Sequence, residues 1–239
     1  MAKRTVTYQG VNYDLSYEII NPSASKTILF LHGWGSNKEV MKVAFAKHFK
    51  TYRHLYLDMP GFGESRGEAI LTTADYAAII ALFLETVNIK PDAIFGHSFG
   101  GKVATLLAPP LLVLLSSAGV VPPKPLNVRL KIALFKALKP LGGANLYKLF
   151  ATKDANDLSR TMYETLKKVV NEDFTKIFSA YQGKTAIFWG KDDRATPLSS
   201  GKQIATLIHG SKFFILDGDH YFFLKQGGLI EETLAPLLS

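Results

Sequence analysis

The stretch Ala93-Ile94-Phe95-Gly96-His97-Ser98-Phe99-Gly100-Gly101 decides how the whole chain is read. Ala93 to Phe95 is a short apolar run, and Lys102 to Leu107 is a good helix former that ends against Pro109-Pro110. The order is strand, tight turn, helix. Ser98 stands in the turn, where its backbone is strained and where strand and helix nearly touch, so the positions two residues to either side must be small. Gly96 and Gly100 meet that need. The amide of Phe99, at the helix start, is then aimed where negative charge would develop on a carbonyl.

Outward from that turn, the chain alternates strands and helices. Toward the N-terminus, Val6–Tyr8 and Tyr13–Ile20 alternate apolar and polar residues, as an antiparallel pair with one wet face does. Ile28-Leu29-Phe30-Leu31 is continuously apolar, the pattern of a strand covered on both faces, and runs into His32-Gly33-Trp34-Gly35-Ser36. Helices are expected over 38–49 and 74–87, the latter capped by Thr73, with a strand at 54–57 between them. Asp58 to Ser65 is dense in turn residues, and Asp58 is expected to brace it through backbone amides. Toward the C-terminus, strands are expected at 111–115, 185–189 and 212–216, and helices at 199–208 and 221–238. Repeated strand and helix with apolar strands means α/β class, a mainly parallel sheet flanked by helices.

Composition narrows the chemistry. The 239 residues are 47% hydrophobic and 20% charged, in the range of ordinary globular chains. With no cysteine, disulfides, thiolate metal sites and cysteine nucleophiles are excluded. No metal-ligand cluster is visible, and no metal or cofactor is expected. The N-terminal residues lack the apolar core of a signal peptide, which makes cytoplasmic the default location. Val103–Pro123 runs 21 residues without a charge, but Pro109-Pro110 interrupts it, so a membrane span is not expected. The net charge of +8 is concentrated between residues 120 and 183, where 11 Lys/Arg face 5 Asp/Glu. No nucleic-acid module accompanies it, and nucleic acid is not expected as a partner.

A serine hydroxyl becomes nucleophilic when a base takes its proton, and an imidazole does this best when a carboxylate fixes its tautomer. Asp193 follows the 185–189 strand and His220 follows the 212–216 strand, so both would share the carboxyl edge of the sheet with Ser98. His97 is expected to pack beside the elbow, His32 to hydrogen-bond among the neighbouring loops, and His48, His54 and His209 to lie at the surface or at helix ends.

In this order, His32-Gly-Trp-Gly, Asp58-x-Pro-Gly-x-Gly-x-Ser, Gly96-x-Ser-x-Gly, Gly190-x-x-Asp-x-x-x-Pro and a late histidine resemble the α/β-hydrolase superfamily over essentially the whole chain. The resemblance implies Ser98 as nucleophile, Asp193 as acid and His220 as base, with the backbone amides of Trp34 and Phe99 forming the oxyanion hole. It selects Asp193 over Asp192, because the family acid stands four residues before the proline. A serine at the elbow implies acyl transfer to water, hence a carboxylesterase-like hydrolase acting on a small-molecule acyl ester without a cofactor. It also implies a core of residues 1–119 and 184–239 interrupted by a helical cap at 120–183. Within the cap, a helix over 126–139 carries Leu130, Leu134 and Leu138 on one arc, and Arg129, Lys136 and Lys139 on another. Phe135, Tyr147, Leu149, Phe150, Met162 and Tyr163 would pack the cap or line a pocket.

The basic cap reads first as a solvated helix face; the alternative is that it draws in an acidic substrate or partner, such as an acyl carrier protein, by long-range steering. Carboxylesterases that release pimeloyl methyl ester from that carrier are similar in the His-Gly-Trp-Gly loop and the cationic cap, but carry Trp before the serine where this chain has His97. Carbon-carbon hydrolases of ring-cleavage products, which carry Asn there, and low-turnover ligand sensors with an intact triad are the alternatives.

Overall fold

In a computed structural model, residues 2–67, 69–120 and 159–238 are described. The expected cap helix over 126–139, together with Phe135, Tyr147, Leu149 and Phe150, lies outside them. Eight strands form one sheet in the order β1-β2-β4-β3-β5-β6-β7-β8. The strands are β1 (Ala2–Tyr8), β2 (Val11–Ile20), β3 (Thr27–Leu31), β4 (Arg53–Leu57), β5 (Ala93–His97), β6 (Leu111–Leu115), β7 (Lys184–Gly190) and β8 (Lys212–Leu216). β1 and β2 pair antiparallel, as does β2 with β4, and every pairing from β4 through β8 is parallel.

The period of two along each strand builds two cores. Ile28 and Phe30, Ala93 and Phe95, Leu111 and Val113, and Ala186 and Phe188 face one side. There they meet α1 (Lys38–Phe45) and α7 (Gly227–Leu238). Leu29 and Leu31, Ile94, Leu112 and Leu114, and Ile187 and Trp189 face the other. That side holds α2 (Thr73–Thr86), α3 (Phe99–Leu107), α5 (Thr175–Ala180) and α6 (Leu198–Leu207). Strands buried on both faces need no polar alternation, which is why β3, β5 and β6 read as continuous apolar runs. The 111–115 segment is thus a buried strand, and among the described residues no helix is long and apolar enough to cross a membrane.

Three expectations need correction. The cap of α2 is Thr72, not Thr73: its hydroxyl accepts from the Asp75 amide while Asp75 accepts from the Thr72 amide, satisfying two orphan donors at once. The first helix stops at Phe45 instead of running to 49; Ala46 caps it, and beyond the cap Phe49 takes a left-handed φ of 49° and gives its amide to Glu231 at 2.6 Å, a geometry a continued helix would not allow. The closing segment is a short 3-10 turn, Phe222–Lys225, followed by α7, and not a continuous helix from 221. The Gln226 side chain caps that turn by donating to the Phe222 carbonyl. Between β6 and β7 the described residues include α4 (Arg160–Val169) and α5.

Candidate active site

β5 delivers Ser98 in the conformation expected of a sharp turn, with φ 51° and ψ −115°. A positive φ is costly for a residue with a Cβ, so the surroundings must hold it. They do so by close approach. A Cβ on Gly96 would lie 2.5 Å from the Gly100 carbonyl oxygen, and one on Gly100 would lie 2.5 Å from the carbonyl oxygens of both Leu31 and His32. Backbone hydrogen bonds from Ser98 N to Leu115 O and from Ala118 N to Ser98 O tie the turn to the neighbouring strand end. The Ser98 hydroxyl does not cap α3.

At the ends of β7 and β8, Asp193 and His220 meet. His220 Nδ1 donates to Asp193 Oδ2 at 2.8 Å, which leaves Nε2 as the free, basic nitrogen. The Asp193 side chain is fully buried and that of His220 is 16% exposed. Burial alone would raise the Asp193 carboxyl. The His220 hydrogen bond and donors from Thr196 and Ser116 outweigh it and hold the group at about 2, ionised. The Asp193 Oδ1 accepts from the Ala195 and Thr196 amides at 2.8 and 2.9 Å, and the Thr196 hydroxyl donates to Oδ2 at 2.8 Å. Asp192, by contrast, is exposed.

Ser98 is joined to this pair through its neighbour. The ring of His97 lies 4.6 Å from that of His220, and His97 Nε2 donates to the His220 carbonyl at 3.0 Å. No hydrogen bond joins the Ser98 hydroxyl directly to His220 here. His97 is fully buried among His220, Tyr221 and Phe223, and burial holds its pKa down at about 3, so the ring is neutral. His32 is neutral for the same reason, held down to about 4 by burial. Its Nδ1 donates to the Gly33 carbonyl and its Nε2 accepts from the Met59 amide, which places it in hydrogen bonds among the neighbouring loops, as expected.

Trp34 packs edge-on against Phe62 and Phe99, with ring centroids 4.9 and 5.5 Å apart, which fixes the loop after β3 over the start of α3. A cavity of about 300 Å³ opens beside Ser98. Trp34, Phe99, Ala118 and Gly119 line one part, Leu166 and Val169 of α4 with the following Val170 another, and Thr196 and Pro197 a third. Met162, expected to pack or line a pocket, belongs to the main core cluster as a partly buried residue.

Several contributors escaped the sequence. Asp58 braces its loop by accepting from the Glu64 amide at 3.0 Å, as expected, but it also accepts from Lys38, through the amide and the ammonium, both at 2.7 Å. Both partners are buried, at 2% and 0% exposure. His54 is not at the surface: it is fully buried, donating from Nε2 to Phe49 O and accepting at Nδ1 from the Tyr56 hydroxyl. His48 lies 3.3 Å from Glu231, and His209 is exposed. Lys102 on α3 is buried; its ammonium donates to Val169 O at 2.6 Å and lies over the Phe174 ring. Burial pushes Lys102 below the ordinary lysine range, with Glu172 opposing. The available signal was one charge in the otherwise uncharged run Phe99–Leu107. Among the described residues no group of three or more His, Asp or Glu is placed to hold a metal ion.

Among curated proteins, 85 residues are 34% identical to a dihydrolipoyllysine-residue acetyltransferase component of an acetoin cleaving system from Cupriavidus necator. Another 88-residue match is 33% identical to a pimeloyl-[acyl-carrier protein] methyl ester esterase from Sodalis glossinidius. These alignments cover 35% and 36% of this chain but 23% and 32% of those proteins, so the chain spans a third or less of their length. The AB hydrolase superfamily protein YisY of Bacillus subtilis is 26% identical over 88% of this chain and 90% of its own. Among solved structures, an enol-lactonase from Burkholderia xenovorans superposes with a TM-score of 0.74 at 18% identity, covering 98% of this chain and 99% of that one. An esterase from Thermogutta terrifontis does so at 0.71 and 17%, over 100% and 98%. These likenesses show the fold. A family model described as the alpha/beta hydrolase family matches residues 28–232, the span from β3 into α7 that carries the elbow, Asp193 and His220. The chain belongs to the alpha/beta hydrolase family.

Proposed function

We propose that the chain is a serine hydrolase that cleaves carboxylic esters through an acyl-enzyme. The observation that carries this is the pairing of Asp193 with His220 at 2.8 Å, beside a serine held at φ 51° on the rim of a largely apolar cavity. In this mechanism His220 Nε2 takes the proton of Ser98 as its oxygen attacks the carbonyl carbon. The oxyanion forms toward the amides of Phe99 and Trp34, the first of which is among the unpaired N–H groups at a helix start. The tetrahedral adduct collapses, the ester C–O bond breaks, and His220 returns the proton to the departing alcohol. Water, deprotonated by His220, then attacks the acyl-enzyme and releases the acid and free Ser98. Asp193 stays ionised throughout, holding the imidazole tautomer and stabilising the imidazolium.

Residues 120–183 would act as a cap over this site, and their basic side chains would draw in an acidic substrate or a carrier-borne ester. The partial likeness to an acyl carrier protein methyl ester esterase supports that extension. The absence of a Ser98–His220 hydrogen bond favours a second reading, a ligand sensor with little turnover, although catalytic hydrogen bonds often tighten only with substrate bound.

The test is steady-state hydrolysis of p-nitrophenyl esters from acetate to decanoate at low and high salt, with Ser98→Ala alongside. The expected result is turnover in the wild type and its loss in the variant by about a thousandfold or more, with folding unchanged. Equal hydrolysis by the two proteins would refute the nucleophile assignment, and tight ligand binding with a single turnover would select the sensor.

A further inference from the structure

Lys102 stands one helical turn beyond Ser98 on α3, is 2% exposed and borders the cavity. An ammonium has three protons, and this one has three acceptors: Val169 O at 2.6 Å, and Glu172 O and Glu172 Oε2, each at 3.3 Å. The Phe174 ring closes over it at 4.5 Å. With its donors satisfied by protein, Lys102 has none left for a substrate anion. What it does hold is the end of α4. The last carbonyls of a helix lack intrahelical donors and carry partial negative charge, and Val169 is the last residue of α4.

Glu172 carries the connection further. Its carboxylate accepts from the Thr73 amide at 3.2 Å and from the Thr73 hydroxyl, at the first turn of α2. At a second point, the Thr165 hydroxyl accepts from the Leu71 amide at 3.1 Å. The end of α4 is therefore fastened to α2 and to the helix that starts at Ser98. The same end of α4, with Val170 just after it, supplies Leu166, Val169 and Val170 to the cavity wall. A shift of about one methylene in such a wall changes discrimination between neighbouring acyl chains by roughly tenfold or more.

We propose that the Lys102–Glu172–Thr73 fastener sets the position of the α4 wall, and so the length of acyl group that the cavity beside Ser98 accepts. Lys102 is a specificity-determining positioning residue. The proposal rests on the ester-cleaving role of that cavity and adds to it what determines chain length.

The experiment compares Lys102→Met, Glu172→Gln and the double variant on p-nitrophenyl acetate and octanoate, with the melting temperature of each. Lys102→Met and the double variant are expected to change the octanoate-to-acetate ratio of kcat/KM by about tenfold, mainly through the KM for octanoate. Glu172→Gln leaves a buried ammonium without its counter-charge, so it should be the least stable of the three while changing the ratio less. The double variant, with neither charge, should recover melting temperature but not selectivity. A ratio that stays constant, or that tracks melting temperature across the three, overturns the proposal. Should Lys102→Met fail to fold, the other two decide it. Should the wild type show no Ser98-dependent ester turnover, the ester-cleaving role fails on its own. Calorimetric binding of butanoate to decanoate by Ser98→Ala, with and without Lys102→Met, then reads the fastener: a shifted chain-length optimum supports it, and an unchanged optimum overturns it.

Discussion

Acid should destabilise this protein well above the pH at which its carboxylates protonate, because two histidines beside the candidate site are buried in the neutral form. His97 and His32 are both fully buried, with pKa values held down to about 3 and about 4 from 6.5, chiefly by burial. In the unfolded chain each takes up a proton as pH falls through 6.5, whereas in the folded chain neither does until pH 4 or below. Between those limits the unfolded state binds more protons, so stability rises with pH and is lost as pH falls. Each histidine contributes a slope approaching about 1.4 kcal/mol per pH unit, which amounts to about 2 kcal/mol each, or about 4 together, between pH 8 and pH 5. Buried His54 is shifted the same way and adds to the slope. Asp193 acts in a separate window: its depressed carboxyl stabilises the fold above 3.8, and that contribution is lost only as pH falls toward about 2. The assay is urea unfolding at pH 8, 6 and 5 on the wild type and on His97→Gln. Glutamine can keep the donor to the His220 carbonyl, but it cannot titrate. The variant should lose about 2 kcal/mol less than the wild type between pH 8 and pH 5. Equal losses in the two proteins, or a wild type whose stability is flat over that range, would refute the reasoning.

Two further outcomes follow from buried polar contacts. Asp58→Asn leaves the Lys38 ammonium 2% exposed and without its counter-charge. Thermal unfolding should show a loss of about 3–5 kcal/mol, and a loss under about 1 would mean that the pair is more solvated than its burial implies. Thr196→Val removes the hydroxyl that donates to Asp193 Oδ2 at 2.8 Å. It should lower kcat for ester hydrolysis about tenfold with KM nearly unchanged, and a change confined to KM would place Thr196 on the substrate side of the site instead.

The sheet and its edge were legible because backbone constraints write themselves in local sequence. A strand covered on both faces has to be apolar throughout, which marked Ile28–Leu31 and Leu111–Leu115. A backbone approach that excludes a Cβ has to be glycine, which marked Gly96 and Gly100. The Asp193–His220 pairing followed from strand-end placement, since loops at one edge of a parallel sheet must be neighbours. Helix ends were less legible. Thr72 and Thr73 are chemically alike, and only the reciprocal bond to Asp75 separates cap from first turn. Phe49, expected inside the first helix, lies beyond its end and bonds to Glu231, a partner on the last helix that no local pattern around Phe49 could reveal.

The roles of the buried cations escaped the sequence for a more general reason. A Lys or Arg in sequence looks like a solvated surface group, because burying a charge is costly unless it is paired. Pairing, however, is a tertiary fact: Lys38 finds Asp58 twenty residues on, and Lys102 finds the carbonyls and carboxylate that follow α4. Each of these two lysines sits on a helix that borders a loop of the candidate site, and each shares its acceptors with other donors: Asp58 also accepts from the Glu64 amide, and the Glu172 carboxylate from Thr73. Fully satisfied buried polar groups favour one arrangement over its near alternatives, because a displaced ammonium loses several bonds at once. An apolar contact tolerates a small slip, whereas these do not. On that physical ground the loop carrying Asp58 and the wall carrying Val169 are held in register with Ser98 by charge, while the sheet beneath them is held by apolar packing.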